Sequence, residues 1–176
     1  VTRAEFLKMA MDSLGIVGHA YRDGECLDAT NDDWYCYYLQ GALDKDIIPE
    51  EMIEDCDFTN VTKTLKESTE KEKAVRANVN VYTGKFYGDK PITREEMAVI
   101  ATRCKNYKMR NWRDWDNERR IPVFSFKDSD EIDEKYISYV VHAYNLKYID
   151  GMEDGRFAPK ENLTRAQAAV VMNNLK

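Results

Sequence analysis

Thr2-Arg3-Ala4-Glu5, Thr93-Arg94-Glu95-Glu96 and Thr164-Arg165-Ala166-Gln167 are three versions of one tetrapeptide. Each follows an aliphatic residue, Val1, Ile92 or Leu163. Thr-x-x-Glu/Gln is a capping box: the threonine hydroxyl accepts from the backbone N–H three residues on, and the Glu or Gln returns a bond to the threonine N–H. An apolar i, i+3, i+4 stripe follows each box: Phe6, Met9, Ala10; Met97, Ile100, Ala101; Ala168, Val171, Met172. That spacing is one face of a helix. The chain is therefore predicted to hold three equivalent helices, starting near Arg3, Arg94 and Arg165. Their shared core is expected to contain Phe6, Met97, Ile100, Val171 and Met172.

The repeat continues upstream of two boxes. Gly84 and Gly155 each stand 9 residues before their threonine, and Phe86 and Phe157 each stand 7 before. Further upstream, Trp34 to Leu43 aligns with Lys135 to Tyr144, two aromatic-rich stretches with helical spacing. Ile47-Ile48 aligns with Tyr148-Ile149, and Asp28 and Asp128 open the two repeats. Residues 1–20 read as the second half of repeat one. Residues 21–105 read as repeat two, with an insertion at about 50–83, and residues 123–176 as repeat three. The insertion holds Glu67/Lys71 and Glu72/Arg76 at i, i+4, which predicts a solvated helix near Thr62 to Ala77. Residues 106–122 read as an inserted basic-aromatic loop.

Composition narrows the function. The 176 residues carry a net charge of −6, which argues against a general nucleic-acid binder. A membrane span needs about 18–20 apolar residues, and the longest uncharged stretch, Tyr136 to Leu146, is much shorter. The chain begins with Val and is read as a mature product or an excised piece. Cys26, Cys36, Cys56 and Cys104 form no C-x-x-C pair, so both free thiols and disulfides stay open. No nucleophile elbow, phosphate loop or H-E-x-x-H is present. No enzyme and no cofactor is expected.

The chain resembles the S-layer homology (SLH) domain family. Phe126-x-Asp128, Gly151 to Pro159 and Leu163 to Gln167 follow that family's repeat closely, and Val1 to Glu5 and Ile92 to Glu96 match its box. Repeat two departs at Gly88, where the loop proline is expected, and at Leu27 in place of the opening Phe. The resemblance implies a mainly α, pseudo-three-fold array, with a central bundle of three capped helices and splayed prong helices. It implies non-covalent anchoring of a secreted bacterial surface protein to the cell wall or S-layer. The implied partner is a secondary cell-wall polysaccharide, pyruvylated in many members, held in grooves between repeats.

The candidate ligand-binding residues are Arg3, Arg94, Arg165, Asp28, Asp128, Gly84 and Gly155. An arginine in the first turn of a helix joins a guanidinium to free N–H groups and the positive dipole end, which suits an anion. The bland readings are structural ion pairs for the arginines and left-handed turns for the glycines. Arg94 with the Asp128 region and Arg3 with the Asp28 region are the favoured pairs, and Arg165 is expected to matter least. A protein–protein module without sugar binding is one alternative. A calcium loop is another, because Asp150, Asp154, Gly155 and Glu161 fall at EF-hand-like positions, though Met152 offers no ligand. The half-missing first repeat is expected to expose apolar surface, which an insertion or self-association would cover.

Overall fold

The computed structural model describes residues 1–22, 26, 28–55, 84–109 and 126–176. These residues form five α-helices: α1 (Arg3–Ser13), α2 (Cys36–Asp44), α3 (Arg94–Met109), α4 (Ile137–Asn145) and α5 (Arg165–Leu175). Short 3-10 turns lie at Glu50–Met52, Ser129–Glu131 and Glu134–Tyr136. The described residues hold isolated β-bridges and no strand, so the fold is mainly α. They divide into two compact units: Val1–Val17 with Asp89–Lys176, and Gly18–Gly88. The predicted helix at 62–77 lies outside the described residues.

The three box helices begin where the capping boxes place them. Thr2 and Thr164 each accept from the N–H of the third helical residue, and Glu5 and Gln167 return the bond. In α3 the same exchange runs from Glu96 N to Thr93 Oγ1 at 3.4 Å and from Thr93 N to Glu96 Oε2 at 3.1 Å. All three helices lie in the first unit and pack on one another in pairs. Phe6, Met97, Ile100, Val171 and Met172 are buried, as the apolar stripes predict. α3 also packs along α4. It is longer than expected: the stretch read as a loop from residue 106 stays helical to Met109, anchored by buried Cys104 and Asn106. Residues 110–125 lie outside the described residues.

Backbone hydrogen bonds tie the three helix starts together. Ile92 N donates to Val1 O at 3.0 Å, Leu163 N to Ile92 O at 2.9 Å, and Val1 N to Leu163 O at 3.3 Å. The residue before each box is thus bonded to its two equivalents, and the three bonds close a ring. Beside the ring, the first helical amide of one box meets the segment before the next. Arg3 N donates to Lys90 O at 2.9 Å, and Arg94 N to Glu161 O at 3.0 Å. Bridges pair Thr2 with Pro91 and Thr93 with Asn162. Lys90 and Glu161, like Pro91 and Asn162, differ by the same 71 positions as the boxes.

The upstream halves of repeats two and three have matching internal geometry. α2 and α4 are each 9 residues and start 101 positions apart. Each ends in a left-handed residue, Asp46 at φ 53° and Lys147 at φ 62°. The next amide then closes the turn: Ile47 N to Ala42 O at 2.7 Å, and Tyr148 N to Ala143 O at 2.8 Å. Each opening aspartate holds the Gly-x-Phe loop. Asp28 accepts from Phe86 N at 2.8 Å and Tyr87 N at 2.6 Å; Asp128 accepts from Phe157 N at 2.8 Å and Ala158 N at 2.7 Å. Tyr87 and Ala158 have φ of 52° and 59°, which turns two successive N–H groups toward one carboxylate.

The Gly88 departure in repeat two has a packing reason. A Cβ there would lie 2.6 Å from the Tyr35 ring, so the proline of repeat three would not fit. The insertion also has a defined base: Glu54 and Lys85 exchange N–H···O bonds of 2.8 and 2.7 Å. In repeat three the corresponding loop closes with Met152 N donating to Arg156 O at 2.7 Å. The loop is thus closed at its base in both places, by Glu54 with Lys85 and by Met152 with Arg156.

Asp128 is buried and receives two charge-assisted bonds. Asp128→Ala is expected to cost about 3 kcal/mol. A urea titration should show a lower midpoint with the slope unchanged.

Candidate functional site

Burial separates the three box arginines. Arg3 is 1% exposed and Arg94 4% exposed, whereas Arg165 is exposed. An arginine at the first helical position opposes the helix dipole, so two such residues buried there need partners. They find different ones.

Arg3 is paired. Its Nη2 lies 2.5 Å from Glu96 Oε1, and its Nε donates to Glu96 Oε2 at 3.3 Å. Glu96 is also the capping residue of α3, so one carboxylate closes a helix start and neutralises a buried cation. The sequence reading gave Glu96 only the capping role.

Arg94 has no carboxylate partner within ion-pair range among the described residues. Its Nε donates to Phe157 O at 2.7 Å and its Nη2 to Asp150 O at 2.8 Å. Its guanidinium lies over the Phe157 ring, 5.0 Å from the centroid. Burial works against the charged form; the longer-range fields of Glu161, Asp128 and Asp150 support it. An arginine stays protonated in such a place. The direct contacts of Arg94 are thus two carbonyls and a ring, and Asp128 acts on it only as a longer-range field. Phe157 as the floor under Arg94 was not foreseen, although its fixed spacing from the box was the signal.

Asp128 and Asp28 spend their carboxylate oxygens on loop amides, and Asp28 lies in the second unit. Gly155 has φ 86°, a left-handed turn that favours glycine. Gly84 is buried, and its carbonyl accepts from Cys26 Sγ at 3.5 Å. Burial pushes the Cys104 thiol up. Neither glycine offers a side chain to a ligand.

The loop read as a calcium alternative already holds a cation of its own. Arg156 Nε lies 2.8 Å from Asp154 Oδ2, and its Nη1 lies 3.4 Å from Glu161 Oε1. Among the described residues, no group of three His, Cys, Asp or Glu is placed to hold a metal ion. Beside Arg94, Lys160 Nζ bridges Glu95 Oε1 and Asp133 Oδ1, both at 2.7 Å. Glu95 also accepts from Asp133 N at 3.1 Å. Burial raises the Glu95 carboxyl pKa, and the Lys160 bond opposes that shift.

Comparison with known proteins gives a family likeness for the sequence. A family model described as "S-layer homology domain" matches residues 79–98 and 125–169, which take in the second box and all of repeat three up to the third. "Exoglucanase XynX" of Acetivibrio thermocellus is 32% identical over 179 residues, covering 99% of this chain and 13% of that protein. "Amylopullulanase" of Thermoanaerobacterium thermosulfurigenes is 30% identical over 175 residues, covering 99% and 7%. "Endoglucanase" of Bacillus sp. (strain KSM-635) is 34% identical over 119 residues, covering 64% and 12%. The chain thus spans between 7% and 13% of these relatives' lengths. No helix among the described residues is long and apolar enough to cross a membrane.

Three outcomes test the charge arrangement. Glu96→Ala strips a buried arginine of its carboxylate and should cost about 3–5 kcal/mol. Gln167→Ala removes only a cap and should cost about 1 kcal/mol in the same denaturant titration. Glu95 is protonated more readily folded than unfolded, so its share of stability is present below the ordinary glutamate pKa and is lost as pH rises through the folded value. Glu95→Gln should therefore gain stability relative to the parent as pH rises above the ordinary glutamate pKa of about 4.3. A widening deficit over that range would show the sign to be wrong.

Proposed function

This chain belongs to the S-layer homology family, and we propose from that premise that it anchors a bacterial surface protein non-covalently to the cell wall. The ligand in this reading is a secondary cell-wall polysaccharide with anionic groups, such as pyruvylated sugars. The setting is outside the cell, in the wall or S-layer. The chain takes no catalytic part; the hydrolase names belong to the relatives, whose lengths it mostly does not cover. The pseudo-three-fold arrangement of bundle and prongs is part of the proposal. The closed ring of Val1, Ile92 and Leu163 supports it.

One observation supports the reading most: Arg94 is a buried guanidinium held by two carbonyls, with no carboxylate in ion-pair range among the described residues. Two carbonyls and an aromatic ring fix its plane, so little freedom is lost when an anion binds. The neighbouring box explains the missing partner. Arg3 is neutralised by Glu96, the third helical residue of the next box. The equivalent residue of the box after Arg94 is Gln167, an uncharged amide. Repeat two to three therefore offers a cation that repeat one to two has already neutralised. A carboxylate ketal on a sugar supplies the missing charge through a charge-assisted hydrogen bond.

The test is pull-down and titration with purified bacterial walls, before and after removal of their polysaccharide. Arg94→Ala should lose roughly 1.5–3 kcal/mol of binding, with helicity unchanged. Arg165→Ala should bind like the parent. Gln167→Glu should weaken binding by giving Arg94 an internal counter-ion. Equal retention by stripped and intact walls would remove the polysaccharide from the proposal. Parent-like binding by Arg94→Ala would remove the site.

A further inference from the structure

Three carbonyls of one loop hold the start of α3. Phe157 O accepts from Arg94 Nε at 2.7 Å, Pro159 O from Glu95 N at 3.1 Å and Glu161 O from Arg94 N at 3.0 Å. Asp128 fixes the near end of that loop through the Phe157 and Ala158 amides. At the far end Lys160 turns back onto the helix. Its Nζ lies 2.7 Å from Glu95 Oε1 and 2.7 Å from Asp133 Oδ1. Glu95 Oε2 accepts from Asp133 N at 3.1 Å. One carboxylate, its side chain 4% exposed, therefore joins the loop, the first turn of α3 and the turn that leads into α4.

The other boxes show that the scaffold does not need this cluster. The place of Glu95 is taken by Ala4 in the first box and by Ala166 in the third. The place of Lys160, 71 positions earlier, is taken by Asp89. A carboxylate buried where alanine suffices costs stability unless a cation meets it. Glu95 and Lys160 thus belong together, and they occur at the junction whose arginine has no carboxylate in ion-pair range among the described residues. Arg3 is held by its ion pair with Glu96. Arg94 is held by carbonyls and a ring, so its aim depends on how firmly the loop is fastened.

We propose that Lys160 is a positioning residue for Arg94: clamped between Glu95 and Asp133, it fastens the 157–161 loop to α3 and thereby fixes the guanidinium for an anionic sugar. This role presupposes that Arg94 is an anion site, and it places a residue outside the box in control of that site. The clamp removes motion before the ligand arrives, so less ordering remains to oppose binding. Lys160 acts through the loop carbonyls and the Phe157 ring, without touching the sugar.

Hydrogen exchange of the Arg94 Nε–H, followed by NMR on the ligand-free chain, reads the clamp. Titration with polysaccharide released from bacterial walls reads its consequence. Lys160→Met should speed that exchange roughly tenfold and weaken binding about fivefold. Lys160→Arg, which keeps the bridge, should restore both. Lys127→Met removes the same charge from the same repeat, at a lysine bonded to Asp154 O, and should change neither. Glu95→Ala carries the residue of the other two boxes, so it should fold, and it should reproduce Lys160→Met. The double variant should then change less than the sum of the two. Parent-like Arg94 exchange in Lys160→Met and in Glu95→Ala overturns the proposal. So does faster exchange with unchanged binding, and so do strictly additive effects. If the parent itself fails to bind the polysaccharide while the exchange responds as expected, the clamp stands and the sugar reading falls.

Discussion

The three-membered ring of main-chain hydrogen bonds among Val1, Ile92 and Leu163 is the constraint from which the first unit is organised. It holds the starts of α1, α3 and α5 together at their N-terminal ends, where each helix has amides with no intrahelical acceptor. The capping boxes satisfy part of that need locally. The segments leading into the second and third boxes satisfy more, through Lys90, Pro159 and Glu161. With their starts pinned, the helices turn their apolar stripes toward one another, and burial of Phe6, Met97, Ile100 and Val171 follows.

A second device, the aspartate pin, is local to each upstream half. One carboxylate gathers two successive loop amides, so the Gly-x-Phe loop is held by its own opening residue rather than by distant packing. That locality explains how repeat two carries a long insertion. The added chain leaves beyond the Glu54–Lys85 base, while Asp28 still grips Phe86 and Tyr87 on the inner side. Loop-closure entropy grows slowly with length, so a closed base tolerates much added sequence. Gly88 belongs to the same economy of space, since it yields volume to the Tyr35 ring.

Charge then distinguishes positions that the backbone treats alike. Arg3 and Arg94 occupy the same place in successive boxes and are both buried, yet among the described residues Arg3 meets a carboxylate and Arg94 does not. A buried cation without a counter-ion is costly, and main-chain carbonyls with a ring face are a partial remedy. The same scaffold thus holds one guanidinium in an ion pair and one held by carbonyls and a ring. The residue that differs between them is the third helical one of the next box, Glu96 in one case and Gln167 in the other.

Much of this was determined along the chain. Capping boxes, stripes and the aromatic stretches are short-range patterns, so the helix starts at Arg3, Arg94 and Arg165 and the 101-residue offset of α2 and α4 were legible directly. The family likeness was legible for the same reason, because a repeat is a pattern read against itself. What an arginine meets at the helix start was not legible, since the partners come from far away: Glu96 lies 93 positions from Arg3, and Phe157 lies 63 from Arg94. The box glutamate looked like a cap alone, and its second role exists only once two boxes are brought together. The aspartates looked like ligands, and only the left-handed turns at Tyr87 and Ala158 made them loop pins. Sequence determined the local elements because capping and helical period act within a few residues. Tertiary structure decided which charges were cancelled, because an ion pair depends on distance in space and a buried charge takes whatever acceptor the fold brings to it.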